Sequence, residues 1–282
     1  LGGYGLSVRT EDIARFGQLY LQKGQWQGRT VVPASWIEQA TSRQTSNGSS
    51  PNSDWDQGYG YQFWRCRHGE YRGDGAFGQY CIVMPQQDAV VAITSGVRDM
   101  QAVMNLVWDK LLPAMGPKAL AADKAGDEKL LARLGGLTVR PVSGQATSPL
   151  AASVSGKRYA FPQNDRSIEA IALEFQPDGA VVTVSAGGKE SRIPCGYAAW
   201  RKAKVAFVNG INDLTQSQVD HPVAATGAWT SPDTYTVKLC LTETPFYTTM
   251  VFKFDGDQVL FDSEHNVSFG PTKQGQLVGK AQ

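Results

Sequence analysis

The sequence predicts an α+β fold, an antiparallel sheet with packed helices, followed by an all-β barrel. Three observations carry this. Helical periodicity is concentrated in residues 1–115, short alternating apolar runs fill residues 153–282, and residues 116–152, rich in Ala, Gly, Lys, Ser and Pro, read as a linker. A chain of 282 residues, 41% hydrophobic, has enough apolar material for two cores.

The first helix begins at Thr10, which can cap it, with Glu11 and Asp12 in the first turn and Lys23-Gly24 as the stop. Ile13, Phe16, Gly17 and Tyr20 form its buried stripe. A second helix starts at Pro33, with Trp36, Ile37 and Ala40 at helical spacing. Residues 42–57, dominated by Ser, Asn, Asp and Gly, are a long loop, either a disordered excursion or the rim of a site. Three extended segments follow, Gly58–Cys66, Glu70–Pro85 and Asp88–Ser95, as an antiparallel meander. The middle one contains Gly73, Gly75 and Gly78, which weaken a strand and mark a bulge or a close approach. Residues 99–112 form a helix with Met100, Val103, Met104, Val107, Trp108 and Leu111 on its apolar face, ended by Pro113 and Gly116-Pro117. Within the linker one short helical patch covers Leu130–Leu134.

Beyond Gly156 the runs Ala170–Phe175, Ala180–Val184, Val205–Val208, Thr234–Leu241, Met250–Phe254 and Gln258–Phe261 are separated by Asp-Gly, Gly-Gly, Asn-Gly and Ser-Pro-Asp turns. Eight or more strands at this spacing, with Trp200, Trp229, Phe246 and Phe252 pointing inward, favour a closed barrel or a sandwich.

A net charge of +1, from 27 basic and 26 acidic residues, provides no field to collect phosphate backbones or anionic lipid, so nucleic acid is not an expected partner. No run of about 18 apolar residues predicts a membrane span. The four cysteines lack metal-ligand spacing and the three histidines are scattered, so neither metal nor cofactor is expected. Cys66 and Cys81 fall in one half, Cys195 and Cys240 in the other. Two intradomain disulfides are one reading and buried free thiols the other. His221 and His265 read as surface or turn residues.

A Ser-x-x-Lys nucleophile motif opening a helix does not occur; Ser153 and Ser185 have lysines four residues on, within the β-rich half. What remains is the run Tyr71-Arg72-Gly73-Asp74-Gly75-Ala76-Phe77-Gly78-Gln79, where a substrate backbone could lie against bare main chain and an N–H could serve an oxyanion. On spacing alone the glycines equally suit a sharp bend.

The phrases Thr10-Glu11-Asp12-Ile13-Ala14-Arg15-Phe16-Gly17-Gln18-Leu19-Tyr20, Gly58-Tyr59-Gly60-Tyr61-Gln62-Phe63-Trp64 and Gly75-Ala76-Phe77-Gly78-Gln79, in this order, resemble the β-lactamase-related serine hydrolase family. That family includes class C β-lactamases, penicillin-binding carboxypeptidases, esterases and amidases, and the resemblance covers residues 1 to about 113. It implies the C-terminal part of a β-lactamase-like domain whose Ser-x-x-Lys and tyrosine base lie upstream of a chain opening Leu1-Gly2-Gly3-Tyr4. Gly73, Asp74 and Gly75 then occupy the third motif, and the Ala76 N–H completes the oxyanion hole. The family's Lys or His position is Gly73 here, which disfavours β-lactams and favours ester, amide or peptide substrates. Arg72, by strand alternation, faces away as a solvated charge. Tyr61, Trp64 and the 42–57 loop are candidates for lining an acyl pocket, or are core. Residues 153–282, with Glu243-Thr244-Pro245-Phe246 and Asn266-Val267-Ser268-Phe269-Gly270-Pro271-Thr272, resemble the lipocalin-like barrel appended to some members.

The expectation is a periplasmic or secreted hydrolase fragment, inactive alone. It should expose apolar surface that favours self-association. The rival is a non-catalytic barrel that binds a small molecule or cell-wall fragment.

Overall fold

A computed structural model describes residues 5–116, 118, 121–206 and 220–282. Leu1-Gly2-Gly3-Tyr4, Pro117, the end of the expected Val205–Val208 strand and the Asn209-Gly210 turn lie outside the described residues. The chain divides into two compact units, Leu1–Lys129 and Leu130–Gln282.

In the first unit, helix α1 (Thr10–Leu21) is followed by a tight hairpin, β1 (Gln25–Trp26) and β2 (Arg29–Thr30), and by α2 (Ala34–Thr41). Strands β3 (Trp64–Arg65), β4 (Tyr71–Gly75), β5 (Gln79–Met84) and β6 (Ala89–Ile93) form an antiparallel sheet in chain order, and α3 (Met100–Leu106) continues into a π-helical turn at Val107–Leu111. The expected single segment Glu70–Pro85 is a hairpin instead. Left-handed backbone at Phe77 (φ 68°) and Gly78 (φ 89°) reverses the chain between β4 and β5.

The sheet is covered on both faces. α1 approaches β5 and β6 so closely that a Cβ on Gly17 would stand 2.5 Å from Val90 and 2.8 Å from the Cys81 sulfur, which explains a glycine in mid-helix. On this face Ala40, Phe63, Tyr71 and Val83 are buried, flanked by Tyr20 and Leu21. On the other face Cys66, Tyr80, Ile82 and Met84 pack against Met104, Val107 and Trp108. One sequence expectation fails here: Phe16 is 47% exposed, because α1 buries a narrower stripe than its apolar residues suggest, and Trp36 of α2 is 49% exposed. Thr10 does not cap α1 but is its first residue, its hydroxyl meeting that of Thr94 at 3.0 Å. Loop 42–57 is anchored, with Thr45 bridged to Tyr59 and Asp54 fully buried.

Helix α4 (Lys124–Gly135) is longer than the patch expected at Leu130–Leu134, and all of it is exposed. The tail of the expected linker belongs to the second unit: Gln145 bridges Trp229, the Ser148 hydroxyl donates to Pro232 O, and α5 (Ala151–Val154) buries Ala151 and Val154.

Among the described residues of this unit, ten strands make one sheet. They are β7 (Arg158–Ala160), β8 (Ile168–Gln176), β9 (Gly179–Ala186), β10 (Lys189–Gly196), β11 (Arg201–Ala206), β12 (Asp220–Ser231), β13 (Thr234–Leu241), β14 (Tyr247–Asp255), β15 (Gln258–His265) and β16 (Leu277–Ala281). Consecutive strands pair except β10 with β11, β16 pairs with β7, and Gly196 of β10 bridges Thr226 of β12, closing the barrel. Alternation is clearest in β13, where Tyr235, Val237, Leu239 and Leu241 point into the core with Phe252, Phe254, Val259 and Phe261 of β14 and β15. Trp229 and Phe252 are interior as expected and Phe246 is partly buried. Trp200 is not: it sits in the turn before β11 and its indole N–H donates to Val139 O at 2.7 Å. His265 is a buried strand residue, not a surface one, its Nδ1 2.9 Å from the Thr248 hydroxyl.

All four cysteines are free. Cys66 faces α3 while Cys81 lies under α1 with its thiol on Ile13 O. Cys195 faces the barrel interior and Cys240 alternates outward, so neither expected pair can meet. Burial pushes the Cys66 and Cys195 thiols up to about 12 and Cys81 to about 11. Among the described residues no helix is long and apolar enough to cross a membrane.

Candidate functional site

The predicted site residues Gly73, Asp74, Gly75 and Ala76 fall at the end of β4 and in the turn that follows, so Ala76 is a turn residue and not a strand residue. β3 covers only the beginning of β4, pairing Trp64 with Arg72 and Arg65 with Tyr71. The Cys66 N–H donates to Glu70 O, which sets the phase: main-chain groups of Glu70 and Arg72 point to β3, those of Tyr71, Gly73 and Gly75 to β5. Asp74 continues the first series, beyond the end of β3. Its N–H and C=O therefore face an open edge, and the turn that follows begins with the exposed Ala76.

The glycines are not equivalent. Gly78 needs its positive φ, and a Cβ there would stand 2.4 Å from the Ser95 hydroxyl. At Gly75 a Cβ would crowd that of Gln79 at 3.0 Å, whereas at Gly73 it would meet only Cys81 Cβ at 3.7 Å. The fold thus explains Gly78 and leaves Gly73 free of any steric requirement. The turn itself is clamped: the Ser95 hydroxyl bonds Gly78 O at 2.5 Å and Phe77 O at 3.2 Å, and the Val97 N–H donates to Phe77 O at 3.0 Å.

Arg72 does turn away from the α1 face, but it is not solvated. Fully buried, it donates to Asp74 through Nε at 2.9 Å, its Nη2 forms an ion-pair contact with the same oxygen at 2.8 Å without a hydrogen-bond partner, and Nη1 donates to Asp54 O at 2.9 Å. Its guanidinium lies 4.6 Å from the Trp55 ring centre, 5.6 Å from Trp64 and 5.8 Å from Tyr80. Trp64 is therefore a wall of this cage, while Tyr61 is 42% exposed and packs on Trp36 at 5.5 Å. Burial raises the Asp74 carboxyl, and Arg72 opposes that rise.

Two buried carboxylates escaped sequence reasoning. Asp54 accepts from Gln101 Nε2 (2.6 Å), Trp108 Nε1 (2.9 Å), Arg67 N (2.8 Å) and Arg67 Nε (3.0 Å). Burial pushes its carboxyl up, but these bonds outweigh burial and hold it below the usual range. Glu70, 1% exposed, has no hydrogen-bond partner on either carboxylate oxygen. Burial lifts it to about 7 against the opposing charge of Arg65. Neither residue sits in a recognisable motif; only its contacts single it out.

In the barrel, Trp229 Nε1 and Tyr235 OH are buried without partners inside a cluster with Phe175 and Phe254. Among the described residues no group of three or more His, Cys, Asp or Glu could hold a metal.

No protein-family model and no curated protein matches the chain. Among solved structures, a fatty acid-binding protein from Drosophila melanogaster brain shares 14% identity at a TM-score of 0.33, over 45% of this chain and 99% of its own. A secretory abundant heat soluble protein from Ramazzottius varieornatus shares 8% at 0.32, over 50% and 99%. An octameric penicillin-binding protein homologue from Pyrococcus abyssi shares 13% at 0.25; the match takes in 96% of this chain and spans 46% of the homologue.

Proposed function

We propose that the first unit carries the substrate-binding edge of a serine hydrolase of the β-lactamase and penicillin-binding type, which cleaves an ester, amide or peptide bond through an acyl-enzyme. The observation that carries this reading is the open edge of β4 at Asp74–Ala76, beside a Gly73 that sterics do not require. An extended acyl or peptide chain can add to such an edge by main-chain hydrogen bonds. The N–H of Ala76, which leads into the clamped Phe77–Gly78 turn, is the donor this reading assigns to a developing oxyanion. No cation projects from position 73, and the guanidinium of Arg72 is engaged with Asp74. Neutral esters and amides therefore suit the edge better than a β-lactam carboxylate. Since Ser-x-x-Lys does not occur in these 282 residues, the nucleophile and its base come from polypeptide outside them, and the protein is periplasmic or secreted in this reading. The test is to read the coding sequence ahead of Leu1 and assay its product on p-nitrophenyl esters and with a fluorophosphonate label. Labelling of an upstream serine is expected, and Ala76→Pro should lower kcat by about 10²-fold or more. No upstream Ser-x-x-Lys, or turnover indifferent to Ala76→Pro, would sink the proposal.

A second reading concerns the barrel, as a lipocalin-like binding module for a small molecule or cell-wall fragment. The specific observation is the pair of unpartnered buried polar atoms, Trp229 Nε1 and Tyr235 OH, which call for a polar group supplied from outside the chain. Titration of the full chain with muropeptides or a small apolar ligand, followed by calorimetry, should give saturable binding that Trp229→Phe weakens. A ligand-independent heat with both proteins would remove this reading.

A further inference from the structure

We infer that Glu70 is a proton-controlled latch on the β3–β4 turn: protonated, it keeps the turn folded onto the sheet, and ionised, it releases the turn and lengthens the open edge of β4. The geometry carries the inference. Glu70 is 1% exposed and both carboxylate oxygens lack a hydrogen-bond partner, whereas Asp54, equally buried, receives bonds from Gln101, Trp108 and Arg67. A neutral carboxyl can be buried at modest cost. A carboxylate without donors cannot.

The surrounding charges are already committed. From β3, Arg65 donates to Thr41 O at 3.0 Å and Gly69 O at 2.6 Å. In the turn, Arg67 is bound to Asp54 and to Asn105 Oδ1, and the His68 ring lies 5.3 Å from that of Trp108. On β4, Arg72 is held by Asp74, Asp54 O and the Cys66 sulfur, and burial keeps the Cys66 thiol neutral. Antiparallel register sets Met84 of β5 opposite Glu70. From the β5–β6 turn come Gln86 and Gln87, and Gln87 Oε1 is itself a buried acceptor without a partner. On α3 and its π-helical extension, Asp109 and Lys110 are exposed. Arg65 is the charge that opposes the effect of burial, and the balance leaves the carboxyl near 7, where small changes in pH alter its state.

Opening is local because β3 and β4 share the pairs Trp64–Arg72 and Arg65–Tyr71 and, toward the turn, the Cys66 N–H bond to Glu70 O. Releasing them frees main-chain groups back to Glu70, so the edge at Asp74–Ala76 grows toward residue 70. The latch stands whatever chemistry that edge serves, since it is read without substrate.

Amide hydrogen exchange on the whole 282-residue chain, corrected for intrinsic rates, tests it. Protection over residues 65–72 should fall about 10-fold between pH 5 and pH 6, the slope of one proton per opening, and level off above pH 7. In Glu70→Gln it should stay flat, with α1 and the barrel unaffected in both proteins. A flat wild-type profile, or the same fall in Glu70→Gln, would overturn the latch. Independently of any variant, the Glu70 carboxyl carbon followed by NMR should titrate near 7; a midpoint near the ordinary ~4.3 would also overturn it.

Discussion

Asp54 and Glu70 lie under one sheet and pull its stability in opposite directions with pH. Because Asp54 is held below its usual range in the fold, its contribution is present above about 4 and is lost as pH falls through the lowered value. Glu70, raised to about 7, works the other way: stability is greatest below its unfolded value and declines as pH rises toward 7. Urea unfolding of the first unit across pH should therefore give a maximum in the mildly acidic range. Asp54→Asn should flatten the acid limb and Glu70→Gln the alkaline one. Arg72 makes a second residue-scale prediction. Asp74→Asn leaves a buried guanidinium without its counter-charge and should cost about 3–5 kcal/mol, whereas Arg72→Met with Asp74→Asn should recover much of that loss in urea titrations. Strand alternation was enough to turn Arg72 away from α1. It could not reveal the cage, because Trp55, Trp64 and Tyr80 converge only through tertiary packing. The same limit hid both carboxylates: Asp54 is held by residues as distant as Gln101 and Trp108, and Glu70 is set apart only by its burial.

Among the elements, the β4–β5 hairpin separates glycines that the sequence presents as a group. Gly78→Ala must adopt a left-handed backbone and displace Ser95, so a loss above about 1 kcal/mol is expected in thermal unfolding. Gly73→Ala meets only an ordinary contact and should leave the melting temperature nearly unchanged; if Gly73 proves as costly as Gly78, the open edge is not the reason for it. Three closely spaced glycines announce a break in a strand, but spacing does not say which of them turns the chain. In the barrel, alternation made β13, β14 and β15 readable from sequence. The bulge at Ile168/Ala170 and the Gly196–Thr226 bridge depend on long-range register and were not. Tyr235 lies across this interior with its hydroxyl against Gly227 and no partner, so Tyr235→Phe should stabilise the barrel by about 1 kcal/mol, measured by chemical denaturation. A destabilisation would mean that the hydroxyl is bonded to a buried water or ligand.

At the scale of the whole molecule, the apolar patterning changes after residue 116 while the chain divides between Lys129 and Leu130, and Gln145 and Ser148 of the expected linker bond residues of the barrel unit. Apolar side chains do remain exposed in the first unit, Leu6, Phe16, Trp36 and Leu106 among them. The barrel is closed by its own extremities: β16 pairs with β7, and the Gln282 N–H donates to Arg158 O at 3.0 Å. Removing residues 277–282 should turn a ring into an open sheet with two raw edges, visible as lost thermal cooperativity and dye-binding aggregates; an unchanged melt would show that β16 is dispensable. This seam also governs timing. The barrel's first and last strands are separated by more than a hundred residues, so on the ribosome the ring stays unsealed until β16 itself has been made, and sealing it is an event of high contact order that no local turn can hasten.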